Sequence, residues 1–289
     1  MTCHCEFLSE EKFPQIAGTF DEAFADYYQK STRKAETWLF NRAAKNGVEW
    51  DYSVGAFDGE RMVGITLIGI SEWMGKLAAF DAGTGIVPDY RGRGLAAEMF
   101  QLAVPKLKQR GVTKFLLEVL QVNEPAIKAY QKSGFKITRE FDCLGLKKET
   151  FSVEANPKLS VEIKPLRKDR VAQLAPFADW QPSWENMFSS IERIPDDVVI
   201  NGAFLDGELV GAIGYYPLLN WIVTLVVKPE YRRQGTATYL LKDFVDNFDR
   251  DIAQINLVNV DRSDSGMLAF LERMGFESFT SQYEMELEL

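Results

Sequence analysis

One histidine in 289 residues, His4, leaves this chain little imidazole chemistry. It lies in a terminal segment outside the motifs described below, which argues against a Ser-His or Cys-His nucleophile. Three cysteines, an odd number without framework spacing, give no disulfide scaffold and fit a reducing, cytoplasmic location. Cys3-His4-Cys5 crowds its ligand types into three residues with no partner pair, so the segment reads as a frayed terminus and no metal is expected. No apolar run approaches the ~18 residues of a membrane span. Met1–Glu6 lacks a basic region followed by an apolar stretch, so no secretory leader and no membrane partner are expected. Positive charge is in deficit: 33 Lys and Arg against 42 Asp and Glu, a net −9, which argues against nucleic acid as a partner.

What is present is ordinary globular material, 46% hydrophobic and 26% charged, in a length that suits two domains. One short sequence occurs twice. Val87-Pro88-Asp89-Tyr90-Arg91-Gly92-Arg93-Gly94-Leu95-Ala96 is echoed by Val227-Lys228-Pro229-Glu230-Tyr231-Arg232-Arg233-Gln234-Gly235-Thr236-Ala237. Each copy sits between a strand-like apolar run and a helix-like segment. Glycines permit positive φ and close approach, and successive N–H groups at a helix start form a concave anion site. Arg91 and Arg93 add positive charge, although an exposed arginine can also simply solvate the surface.

The repeat extends further. Ala56–Gly64 and Ala203–Gly211 both read as a hairpin with an Asp-Gly turn. Gly134-Phe135 and Gly275-Phe276 stand 141 positions apart, as do Arg91 and Arg232. Helical stretches are expected at 13–28, 32–46, 168–178 and 183–194. After each hairpin comes a strand (78–87; 221–227), a helix from the turn (95–110; 236–248), another strand (114–119; 254–260) and a short helix ended by Gly134 or Gly275. A strand pair is expected within 136–146. The polar stretch 154–158 marks a boundary. These patterns predict an α/β (α+β layered) fold of two tandem domains, 1–153 and 158–289, each a mixed, mostly antiparallel sheet flanked by helices.

The run Val87–Ala96 resembles the [Arg/Gln]-x-x-Gly-x-[Gly/Ala] acetyl-CoA signature of the GNAT N-acetyltransferases. Leu117-Glu118-Val119, Asn123, Ala126, Tyr130 and Gly134-Phe135 resemble that family's second block. The resemblance implies acetyl-CoA as co-substrate and an amine of a small molecule or peptide as acceptor. The backbone of Arg91, Gly92, Arg93, Gly94, Leu95 and Ala96 would hold the pyrophosphate. Ile86 and Val87 would meet the pantetheine arm, with the Val87 N–H polarising the thioester carbonyl. Asn123 would contact the cofactor or the start of its helix. Arg232, Gly235 and Ala237 would be the second copy's counterparts.

Transfer to an amine needs an acceptor for the ammonium proton, a polarised carbonyl and a donor for the thiolate. Glu118, in an apolar strand, is a candidate base because burial raises a carboxyl pKa; it could equally face solvent or an ion-pair partner. Asp81, one strand earlier, is the rival acid. Tyr130 is a candidate donor to the sulfur, or a half-buried aromatic on the sheet. At the 141-residue offset, Glu118 becomes Asn259, Tyr130 becomes Leu271 and Asn123 becomes Asp264. The first half is therefore expected to be catalytic and the second degenerate. A CoA-binding sensor or structural pseudo-enzyme, and transfer of a longer acyl group, are the competing readings. Aromatics at 20, 24, 27, 28 and 38 either line an acceptor cleft or form plain core.

Overall fold

The computed structural model describes residues 3–27, 35–154, 158, 160–194, 196–247 and 253–289. Residues 28, 32–34 and 248 of the expected helices and 155–157 of the expected boundary lie outside them. The chain divides into two compact units: Met1–Thr138 with Tyr283–Leu289, and Arg139–Gln282.

The first unit contains strands β1 (His4–Phe7), β2 (Val54–Asp58), β3 (Arg61–Trp73), β4 (Lys76–Ile86) and β5 (Lys114–Leu120). Its helices are α1 (Phe13–Phe24), α2 (Ala35–Asn46), α3 (Leu95–Gln109) and α4 (Glu124–Lys132). The strands lie in chain order, with the C-terminal residues Tyr283–Leu289 alongside β5. There the Leu289 N–H bonds to the Thr113 carbonyl at 3.0 Å and Lys114 pairs with Glu286 at 2.5 Å. The segment read as frayed is in fact β1, antiparallel to β2, with His4 stacked on Phe57.

Helix α3 buries Leu95, Met99, Phe100, Ala103 and Leu107, one face at helical spacing. They share a core with Ile68 and Ala79 of β3 and β4 and with Phe115, Leu117 and Val119 of β5. Fully burying one such side chain contributes roughly 1.5–3 kcal/mol. Helix α1 takes the other face of β4: a Cβ at Gly83 would lie 3.3 Å from Phe20, and one at Gly85 would lie 2.6 Å from Phe24.

The second unit holds most of β6 (Lys136–Lys147), then β7 (Glu162–Pro165), β8 (Val199–Leu205), β9 (Glu208–Tyr216), β10 (Trp221–Val227) and β11 (Gln254–Asp261). It also holds the first half of β12 (Glu277–Glu288) and helices α5 (Phe188–Glu192), α6 (Thr236–Asn247) and α7 (Ser265–Arg273). Its sheet runs β6-β11-β10-β9-β8-β7, with β6 antiparallel to β11.

This corrects the expected boundary at 154–158. Phe151 and Val153 pack on the second unit's core, and the units change over inside β6 and inside β12. The expected strand pair within 136–146 is one long strand. A period-2 pattern fixes which face a strand buries, not which neighbour it joins. The stretch 168–178 forms a 3-10 helix over Lys168–Phe177 with Pro176 inside it, where a proline removes a donor that an α-helix needs. The stretch 183–194 holds a 3-10 turn, Trp184–Asn186, and the short α5. Both Asp-Gly hairpins form, with Gly59 at φ +62° and Asp206 and Gly207 at φ +50° and +86°.

Candidate active site

In the first unit β4 pairs with β5 in parallel over only four positions, ending at Asp81↔Leu117. Beyond that point no further pairs join the strands, and the two splay. On its other edge β4 stays paired with β3, but the register shifts between Asp81 and Gly83, so Ala82 is the extra residue of a bulge. The Val87 N–H donates to the Val63 carbonyl at 2.9 Å. Antiparallel alternation therefore turns the N–H groups of Thr84 and Ile86 away from β3, into the splay. This corrects the expected polariser: the Val87 N–H is already committed to β3, and the Ile86 N–H is the donor that faces the opening.

The turn follows. Pro88–Tyr90 make one 3-10 turn, Gly92 and Gly94 adopt φ +76° and +86°, and α3 starts at Leu95. The first N–H groups of α3 have no intrahelical partners, so they and the helix dipole face an anion-sized concavity. The Arg91 side chain does not serve it. Its guanidinium bonds to the Ile86 carbonyl (3.1 Å), the Ala23 carbonyl (2.9 Å) and both carboxylate oxygens of Asp26 (2.7 Å each). It is a brace between the turn and α1. Arg93 bonds to the Asp89 carbonyl at 2.7 Å and lies over the Tyr90 ring. What faces an anion here is mainly backbone.

At the floor of the splay stands Asp81, 6% exposed. Its Oδ1 accepts the Gly83 N–H at 3.0 Å, and its Oδ2 accepts the Tyr130 hydroxyl at 3.2 Å. Burial pushes its carboxyl up to about 6, opposed by hydrogen bonds from Thr84, Gly83 and Tyr130 and by the charge of Arg42. Burial first, then the Asp81 charge, holds the Tyr130 hydroxyl well above its usual value, so it keeps its proton. The Tyr130 ring is fixed among Phe100 and Phe135, centroids 6.0 and 5.8 Å away. The ring is the packed aromatic that one sequence reading allows, and its hydroxyl is directed at Asp81.

Glu118 is the first β5 residue past the last pair with β4. Leu117 and Val119 point into the α3 core, so alternation sends Glu118 to the opposite sheet face. One of its carboxylate oxygens is shut off from solvent. The carboxylate and the Tyr130 hydroxyl therefore approach the splay from opposite faces. Asn123 caps α4, its Oδ1 accepting the Ala126 N–H at 3.4 Å. The Phe20–Phe24 stack, centroids 4.3 Å apart, continues to Trp38 and Tyr27.

The second unit repeats the frame. Strands β10 and β11 pair only at Trp221↔Asn256 and Ile222↔Leu257, and β10 bulges at Val223. The Lys228 N–H bonds to the Val210 carbonyl at 2.9 Å, as the Val87 N–H does to Val63. Arg232 is the matching brace, bonded to the carbonyls of Val227 (2.9 Å) and Phe177 (2.8 Å) and to Asp179. Arg233 takes Gly92's place at φ +59°, and Gly235 sits at φ +89°.

The floor differs. At the 141-residue offset Asp81 becomes Ile222 and Tyr130 becomes Leu271, both buried. Asn259, at the Glu118 position, is tied to Ser183 (3.1 Å) and Gln282 (2.8 Å). Asp264 caps α7 through the Met267 N–H at 2.8 Å and accepts the Trp180 indole N–H at 2.8 Å. A cavity of about 450 Å³ opens in this splay, lined by the turn and by residues that include Asn186, Phe188 and Ile222. Sequence reasoning missed both the Asp81–Tyr130 bond and the Trp180–Asp264 bond. A lone carboxylate between apolar residues, two positions before a glycine, was the available signal for the first.

Among the described residues no helix is long and apolar enough to cross a membrane. Residues 15–135 and 166–276 each match the model of the acetyltransferase (GNAT) family. Mycothiol acetyltransferase of Corynebacterium aurimucosum is 39% identical over 56 residues, 19% of this chain and 18% of that protein. Streptothricin acetyltransferase of Streptomyces lavendulae is 35% identical over 83 residues, 29% of this chain and 42% of that one. The chain thus spans well under two thirds of these relatives' lengths. A tandem GNAT protein from the clavulanic acid biosynthesis pathway superposes over 99% of this chain and 98% of its own, with TM-score 0.75 at 16% identity. A GCN5-related N-acetyltransferase from Sphaerobacter thermophilus does so over 99% and 95%, with TM-score 0.74 at 15% identity.

Proposed function

The chain belongs to the acetyltransferase (GNAT) family as a tandem, two-domain member, and from that premise we propose that its first unit moves an acetyl group from acetyl-CoA to a primary amine of a small molecule or peptide. The observation that carries the reading is the Tyr130–Asp81 bond at the floor of a splay whose mouth is a two-glycine turn. The residues fit the co-substrate. The turn backbone from Arg91 to Ala96 offers N–H groups to a pyrophosphate, and the N–H groups of Thr84 and Ile86 face the line a pantetheine arm would take.

Roles follow from position. Glu118 receives the ammonium proton, directly or through water, because its side chain reaches the splay from the face opposite the α3 core. The Ile86 N–H donates to the carbonyl oxygen as charge develops there. Tyr130, held neutral, gives its proton to the departing thiolate. Asp81 holds the Tyr130 hydroxyl and sits low enough in pKa to be mostly ionised at pH 7. Attack is direct: the chain's one histidine is on β1, and among the described residues no Ser, Cys or His stands on this floor as an acyl carrier.

Steady-state kinetics with an amine panel tests this. Glu118→Gln is expected to lower kcat by about 10²–10⁴, and Tyr130→Phe by a similar or smaller factor, with the KM for acetyl-CoA little changed. Full turnover in both variants would remove the first unit from the chemistry.

A further inference from the structure

The floor of the second splay is built for a chain, not for proton transfer. In the first unit Tyr130 reaches across to Asp81. In the second, Ile222 and Leu271 stand at those positions and carry no such bond, and Ile222 lines a cavity of about 450 Å³. That volume lies in the range of ligand pockets, about 300–1,000 Å³. Beyond the turn its walls mix apolar side chains, Phe188, Ile222, Val223, Val258 and Phe270, with polar ones such as Thr224, Asn259 and Asp264.

Two buried oxygens point to a ligand with both anionic and amide character. Thr236, the first residue of α6, is 1% exposed, and its hydroxyl has no hydrogen-bond partner among the described residues. It stands where the first unit has Leu95. Asn186 is 8% exposed; its amide nitrogen donates to the Val258 carbonyl at 2.8 Å, while its Oδ1 is unpartnered. Both line the cavity. A buried polar atom left without a partner is costly, and a ligand can supply what is missing. The hydroxyl at a helix start suits a phosphate oxygen. The Asn186 oxygen is an acceptor and suits an amide N–H, of which a pantetheine arm carries two. The apolar side chains of the lining then receive whatever hangs on the sulfur.

We propose that the second unit is a binding site for a CoA thioester with an acyl chain well beyond acetyl, held without transfer. This rests on reading the Arg232–Ala237 turn as a CoA site. The two positions proposed to move protons in the first unit cannot do so here: Asn259 takes no proton at neutral pH, and Leu271 has none to give.

The test uses the full-length chain with Ala96→Trp, which places an indole over the first turn on a helical residue that needs no unusual backbone. CoA, acetyl-CoA and octanoyl-CoA are titrated by calorimetry. The expected result is one site per chain, bound at least about tenfold more tightly by octanoyl-CoA than by CoA. Adding Ala237→Trp should remove it. Adding Met267→Trp, a partly buried lining residue, should cancel the chain-length preference while CoA still binds. Equal affinity for all three ligands would overturn the chain proposal and leave the turn reading standing. No binding by Ala96→Trp, with wild type still binding, would overturn the turn reading itself. Octanoyl transfer to an amine by Ala96→Trp would overturn binding without transfer.

Discussion

Gly92 and Arg233 hold the same backbone conformation in the same kind of turn, at φ +76° and +59°. Arg91 and Arg232 make the same brace to a preceding acid and two carbonyls. The frame around the mouth of each splay is thus kept to the level of single hydrogen bonds, even where an arginine must occupy a left-handed position. Below the mouth the units part. One closes its splay with a buried carboxylate and a tyrosine; the other leaves a cavity of mixed lining with two unanswered oxygens. The Arg233 conformation costs about 1–2 kcal/mol, and it is held in the unit that has Ile222 and Leu271 where the other has Asp81 and Tyr130.

The contrast can be broken most directly at the turns. Ala96→Trp is expected to cut amine acetylation at least about a thousandfold, since it blocks the cofactor position on which orientation depends, as measured by thiol release. If Ala237→Trp is the variant that loses turnover while Ala96→Trp keeps it, the roles of the units are reversed.

A smaller effect sharpens the comparison at the floor. The folded state raises Asp81 from an ordinary 3.8 to about 6. Folding therefore binds this proton more tightly. The resulting stabilisation is full below pH 3.8 and is lost as pH rises through 6. Urea unfolding between pH 4 and 7 should show wild type losing on the order of 2–3 kcal/mol relative to Asp81→Asn across that window. Tyr130→Phe removes a hydrogen bond that lowers the Asp81 pKa, so the upper end of the window should move to higher pH. Ile222 gives the second unit no counterpart.

The smallest expected change is in the turn of the second unit. Arg233→Gly relieves a left-handed side-chain residue but adds freedom to the unfolded chain, for a net gain of about 0.5–1 kcal/mol by calorimetric unfolding. Gly92→Arg should cost the first unit a similar amount.

Much of this was legible beforehand, and the reasons differ by element. The strand Trp221–Val227 and the starts of α3 and α6 follow from apolar runs and glycine turns, which are local. The constant offset between repeats located Asn259 and Leu271 and hence the asymmetry. The Arg91 side chain was misjudged because composition shows a charge, not its partner: Asp26 lies 65 positions away. The sequence could not show that the Val87 N–H is taken by Val63, because the edge a strand N–H faces depends on register. The Asp81–Tyr130 pair joins residues 49 positions apart across a bulge. The exchange at β6 and β12 left no trace in patterning, since either neighbour accepts the same alternation.

That exchange sets an order of assembly. When residue 153 leaves the ribosome, the first unit has its turn, Glu118 and Tyr130, but β5 still presents a bare edge where Tyr283–Leu289 belongs, and the core lacks Met285. At ordinary synthesis rates of about 5–20 residues per second, roughly ten seconds pass before the closing strand exists. Until then that open edge is a surface on which another nascent chain could pair. The first unit's sheet is therefore completed last, after the residues of the second unit have been made.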